Sequence, residues 1–206
     1  MVPVIHAVTT DEIVARADFL ERAAGVMRAL GTRGAVHLRA LHTAGARLYG
    51  VARELVELQR STGAWLVVAD RVDLALAVGA RGAQLTSRSI SVADTLSVAN
   101  TLAVGASVHS LADARVATAQ GAAWLVVGQL TVDRRGVAGP RALREVATEG
   151  GRPVIVIGGV TPGHVRGLRS LGVHGVAAIR GIWESESAEG AASEYLVAYD
   201  RGAASE

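Results

Sequence analysis

Lysine and cysteine are both absent from this chain, so all 21 residues counted as Lys plus Arg are arginine. Without lysine no Schiff base can form, which excludes class I aldolase and pyridoxal chemistry. A P-loop is excluded too, because its motif requires Lys. Without cysteine there are no thiol nucleophiles, disulfides or iron–sulfur ligands, and most structural zinc sites fall away. That fits a cytoplasmic protein. Aromatic residues make up only 3% and no basic run occurs. Both the stacking platforms and the charged track of a nucleic-acid binder are therefore missing, and no nucleic-acid partner is expected. No apolar run approaches the roughly 20 residues of a membrane span. Met1-Val-Pro-Val-Ile-His6 lacks the regions of a signal peptide, so no membrane association is expected.

What remains is 206 residues, 50% of them hydrophobic, with a net charge of +2. That suits one domain over residues 1–206, with 202–206 as a disordered tail. A unit recurs eight times: a short apolar strand, a polar or glycine-bearing turn, then an amphipathic helix. The strands are read at Val4–Val8, Gly34–Leu38, Gly63–Val68, Gly82–Leu85, Val104–Val108, Ala123–Val127, Val154–Ile157 and Gly175–Ile179. Their helices are read at Ala17–Leu30, Arg47–Gln59, Val72–Val78, Val92–Thr101, Leu111–Ala119, Arg141–Thr148, Pro162–Leu171 and Gly190–Tyr199. Alternating strands and helices argue for a parallel sheet, and eight units argue for closure into a (β/α)8 TIM barrel. The length is short for that fold, typically about 250 residues, so the loops must be short.

Barrel active sites lie where strands hand over to the following loops. In Pro153-Val-Ile-Val-Ile-Gly-Gly-Val-Thr-Pro162, a buried strand runs into Gly158 and Gly159 and then a helix start. Glycines let backbone N–H groups approach an anion. Strand eight ends Ile179-Arg180-Gly181. Loops after strands seven and eight together form the phosphate site of many barrels, so Gly158, Gly159, Arg180 and Gly181 are the candidate phosphate ligands.

Across the mouth, alternation puts His37 and Arg39 on one inward face, and an inward Arg calls for an anion. Asp70 after strand three can orient Arg39, bind a metal, or cap the next helix. Ser107 and His109 alternate onto one face, whereas Ser110 with Asp113 reads as a helix cap. His109 is a candidate acid or base near neutral pH. Strand six leads through Gln129 and Thr131 into a long charged loop over 129–139, a candidate lid.

Arg71-Val-Asp-Leu-Ala-Leu-Ala-Val-Gly79 after Asp70, Gly105-Ala-Ser-Val-His-Ser-Leu111 and Val156-Ile-Gly-Gly-Val-Thr-Pro162 resemble the thiamine phosphate synthase/TenI superfamily from about residue 4 to 200. The resemblance implies one of two activities. The synthase joins a pyrimidine diphosphate to a thiazole phosphate with Mg²⁺. The TenI-type tautomerase aromatises a thiazole carboxylate phosphate by moving a proton, without a metal. His37-Leu-Arg39, Arg88-Ser-Ile-Ser-Val92 and Ser107-Val-His-Ser110 look like the TenI branch. The synthase's lysine after strand two is replaced by Leu41, its second Mg²⁺ aspartate falls near Arg88, and its Pro-Thr…Lys element after strand six is missing. Gln129 stands where TenI-type tautomerases carry a catalytic His.

The resemblance therefore implies an isomerase of thiamine biosynthesis. His109 or His37 would move the proton. Arg39 would bind the carboxylate, and Ser107 and Gln129 would contact the ring, with Asp70 and Thr131 beside them. No cofactor or metal is expected, except Mg²⁺ if the protein is a synthase with an altered metal site. A second alternative is a non-catalytic binder of thiazole or thiamine phosphates. The expected partners are a small phosphorylated thiazole and further copies of the chain, in a homodimer or higher homo-oligomer.

Overall fold

The computed structural model describes residues 1–128 and 139–202. Eight parallel strands close into a barrel in chain order. They are β1 (Ile5–Val8), β2 (Gly34–Leu38), β3 (Trp65–Ala69), β4 (Gly82–Leu85), β5 (Ala103–Val108), β6 (Trp124–Gly128), β7 (Val154–Ile157) and β8 (Gly175–Ala178). β8 pairs with β1 to complete the ring, placing Ala178 beside Ala7. The described helices are α1 (Asp11–Ala15), α2 (Phe19–Leu30), α3 (Gly45–Thr62), α4 (Val72–Val78), α5 (Val92–Val98), α6 (Leu111–Ala119), α7 (Gly139–Glu149), α8 (Pro162–Arg169), α9 (Arg180–Trp183) and α10 (Ala188–Arg201).

Period-two alternation splits each apolar strand between two cores. Leu38, Leu66, Leu125 and Val156 face outward into the layer shared with the helices. Val67, Trp124, Ile155 and Ala177 face inward and fill the barrel. Such strands, covered on both faces, have to be apolar throughout, which is how they read in the sequence. Hydroxyl caps at Thr10, Ser91, Ser110 and Ser187 start α1, α5, α6 and α10. Each cap typically contributes about 1 kcal/mol.

The chain differs from its periodicity in two places that matter. A five-residue α1 precedes α2, and Arg16 pairs with Asp18 at 2.9 Å in the turn between them. A four-residue α9 follows β8 directly, so Arg180 and Gly181 are the first residues of a helical turn. α5 also stops at Val98, because Ala99 leaves helical backbone angles.

Candidate active site at the barrel mouth

The inward-facing residues at the C-terminal strand ends enclose two adjoining cavities. One, of about 190 Å³, is lined by His37, Arg39, Gln84, Thr86, Ser107 and Ile157 among others. The other, of about 410 Å³, is bounded by Gly158, Gly159, Arg180 and Gly181. Ile157 and Ala177 line both, so the two are neighbours in one mouth.

The larger cavity is built from backbone. Gly158 and Gly159 have φ of +114° and +65°, conformations that side-chain-bearing residues rarely adopt. Tyr195 of α10 supports both loops from beneath. Its buried hydroxyl donates to the Val160 carbonyl at 2.7 Å. A Cβ on Gly181 would lie 2.5 Å from the same oxygen. Burial pushes the Tyr195 hydroxyl pKa up, so it stays a donor. Tyr195→Phe would leave the Val160 carbonyl unpaired at a cost of about 1–3 kcal/mol. It is expected to weaken a phosphorylated ligand several-fold by titration calorimetry. Unchanged affinity would mean that Tyr195 only fills space. Glu184 also lines this cavity, and the exposed Arg180 is the cation set against it.

In the smaller cavity Arg39 is half-buried, and Thr9 holds its backbone at both N–H and C=O. Among the described residues its guanidinium joins no ion pair, so Asp70 does not orient it. Nor does Asp70 cap α4: its backbone has φ +60°, and the N-cap position falls to Arg71. Its side chain turns instead to the loop after β4. Thr86 and Ser89 hydroxyls donate to its Oδ1 at 2.6 and 2.5 Å. Its Oδ2 is buried and has no partner among the described residues. A left-handed backbone on a non-glycine residue costs about 1–2 kcal/mol, so this carboxylate is held against strain. Thr86 and Ser89 were not singled out in the sequence, although the alternation that points Gln84 inward also points Thr86 there.

His37 faces inward as alternation requires, but it is committed. A carbonyl only accepts, so His6 Nε2–H must donate to Pro3 at 2.9 Å. His6 Nδ1 is then the acceptor for His37 Nε2–H at 2.7 Å. Burial pushes the His6 pKa from 6.5 to about 4, and burial with repulsion from His6 holds His37 well below its ordinary value. Both rings are neutral at pH 7, and His37 is a weak base.

The unfolded histidines bind protons below pH 6.5 and the folded pair does not, so stability is full above pH 6.5 and falls as pH drops toward 4. His6 alone accounts for about 3 kcal/mol. Urea midpoints measured from pH 7 to 5 should fall steadily, and a flat profile would contradict the neutral pair.

His109 lies beyond the end of β5, exposed, with its N–H donating to Asp113 at 3.0 Å. It does not line the mouth cavity, because β5 and its alternation end at Val108. Ser107 does line it, and Ser110 caps α6. Gln129, Thr131 and the charged loop lie outside the described residues. Among the described residues no cluster of three or more His, Cys, Asp or Glu could hold a metal, and no helix is long and apolar enough to cross a membrane.

A family model described as thiamine monophosphate synthase matches residues 5–182. A thiamine-phosphate synthase of Pyrococcus furiosus is 32% identical over 168 residues, covering 80% of this chain and 81% of that protein. A thiamine-phosphate synthase of Haloarcula marismortui is 32% identical over 203 residues, covering 94% and 91%. The solved structure of a thiamine phosphate pyrophosphorylase from Pyrococcus furiosus superposes with a TM-score of 0.85 at 29% identity, covering 97% of this chain and 96% of that one.

Proposed function

The chain belongs to the thiamine monophosphate synthase family, and from that premise we propose that it joins a phosphorylated thiazole to a pyrimidine diphosphate at the barrel mouth. The observation that carries the reading is the pair of adjoining cavities: one bounded by Gly158, Gly159, Arg180 and Gly181, next to one lined by Arg39, Gln84, Thr86 and Ser107. The relatives' activity supports the transferase over the isomerase, and so does the site. With His109 exposed and His37 bound to His6, neither described histidine is a free proton carrier in the mouth.

Gly158, Gly159, Arg180 and Gly181 hold the thiazole's phosphate in this reading, through charge-assisted bonds of roughly 1.5–3 kcal/mol each. Arg39, without a carboxylate partner among the described residues, offsets the negative charge that gathers on a departing diphosphate. Mg²⁺ is commonly bound by one or two carboxylates together with substrate phosphates. Asp70 Oδ2, without a partner among the described residues, fits that sparse donor set and would be the chain's own ligand. When bound, the ion neutralises diphosphate charge. Thr86 and Ser89 hold Asp70 Oδ1 and so fix where Oδ2 points.

Purified protein given thiazole phosphate, pyrimidine diphosphate and Mg²⁺ should form thiamine phosphate. Asp70→Asn should lower that rate by about 10²-fold or more, the usual scale for losing one charge-stabilising group. A rate at background with wild type would overturn the reading.

A thiazole tautomerase is the second reading. What favours it is a substrate-sized cavity in which Arg39, without an ion-pair partner among the described residues, suits a substrate carboxylate, with the Thr86 hydroxyl in the same lining. Metal-independent aromatisation of thiazole carboxylate phosphate would establish it. A ligand that raises the melting temperature with neither turnover would point to a binder.

A further inference from the structure

Ser107 faces the mouth with its hydrogen-bonding polarity already set by two residues behind it. Trp124 crosses the barrel interior and its indole N–H donates to Gln84 Oε1 at 2.8 Å. An indole N–H can only donate, so the amide oxygen of Gln84 must be the atom facing it. The amide nitrogen is thereby turned the other way. It donates to Ser107 Oγ and to the Leu85 carbonyl, both at 3.2 Å. Ser107 Oγ is then an acceptor toward Gln84, and among the described residues nothing takes its own proton.

The barrel makes room for this arrangement. Gln84, Gly105 and Trp124 are lateral neighbours across β4, β5 and β6. A Cβ on Gly105 would lie 2.1 Å from the indole and 2.4 Å from Gln84 Oε1. Gly82 stands 3.0 Å from the indole's far edge on the same measure. Two strand positions thus forgo side chains so that a tryptophan can reach one glutamine. Both Trp124 and Gln84 are buried, at 1% and 6% exposure, so the indole–amide bond is sheltered from solvent.

The geometry points to Gln84 and Trp124 as positioning residues that make Ser107 a hydrogen-bond donor to the substrate, so that the mouth selects a ring carrying an unprotonated nitrogen. The inference rests on the reading of the smaller cavity as the ring site. A thiazole or a pyrimidine offers such a nitrogen, and isosteric rings with C–H in its place do not.

Two pairs of ligands test it by titration calorimetry: thiazole phosphate against its thiophene isostere, and the pyrimidine diphosphate against its benzene isostere. Wild type should prefer the nitrogen-bearing member of one pair by about tenfold, the scale of one hydrogen bond. The pair that shows the preference identifies which ring Ser107 meets. Gln84→Glu keeps an acceptor for Trp124 but gives Ser107 an acceptor as well, turning its proton away from the mouth. That variant, like Ser107→Ala, should lose the preference, with the nitrogen-bearing member falling to the affinity of its isostere. A loss of affinity shared equally by both members would mark Gln84 as merely structural and overturn the inference. So would no preference in wild type. If neither phosphorylated ligand binds at all, the ring-site reading falls on its own. The position of the Ser107 deuteron by neutron diffraction then decides this inference: toward the cavity upholds it, toward Gln84 overturns it.

Discussion

Gly159→Ala is expected to cost about 1–2 kcal/mol of stability and most of the protein's affinity for a phosphorylated ligand. A Cβ there would meet nothing within 4 Å, so packing is not the obstacle. The obstacle is the backbone, whose φ of +65° costs an alanine about 1–2 kcal/mol. Relaxing toward negative φ re-aims the N–H groups of the β7–α8 loop. Each charge-assisted bond lost is worth roughly 1.5–3 kcal/mol, so thiazole phosphate should bind about 10- to 100-fold more weakly. Calorimetric titration against the wild type measures this, with the melting temperature as the control. Equal affinities in the two proteins would remove the glycine loop from the phosphate site.

Gly105→Ala should act in the opposite way, through the core. Its Cβ would overlap the Trp124 ring and the Gln84 oxygen at 2.1 and 2.4 Å, so the indole must move. Overpacking of this kind typically costs 1–3 kcal/mol, and breaking the Trp124–Gln84 bond adds about 1 kcal/mol. For a chain of this size that is a fall in melting temperature of roughly 5–15 °C. Pairing the change with Trp124→Phe, which removes the N–H and shrinks the ring, should recover part of the loss. A Gly105→Ala protein as stable as wild type would mean that the indole is not held where the structure puts it.

The barrel was readable because buried parallel strands are apolar runs bounded by turn residues. β2, α4, β4, α6 and β7 fall on the residues that the pattern gives. α1 and α9 were not readable, since five and four residues are too few to show a helical period. The turn after β7 announces itself in the sequence, because its positive φ values suit glycine at Gly158 and Gly159. The other half of the mouth does not. Asp70 reads as a partner for Arg39, a metal ligand or a cap; the residues it does bind, Thr86 and Ser89, lie sixteen and more residues away. His37 reads as an inward candidate to move a proton; burial in the closed barrel, and then His6 thirty-one residues earlier, keep it neutral. Trp124 read as one more apolar strand residue. Its role comes from Gly82 and Gly105 on neighbouring strands, a cross-strand match that no linear window contains.

In the proposed function one mouth holds a phosphorylated thiazole, phosphate on the glycine loops and ring beside Arg39 and Ser107. A crystal structure of the protein soaked with thiazole phosphate tests it most directly. Phosphate oxygens are expected on the N–H groups of Gly158, Gly159 and Gly181, with the ring against Ser107. A phosphate bound away from the β7 and β8 loops, or a ring outside the cavity lined by Arg39 and Ser107, would contradict it.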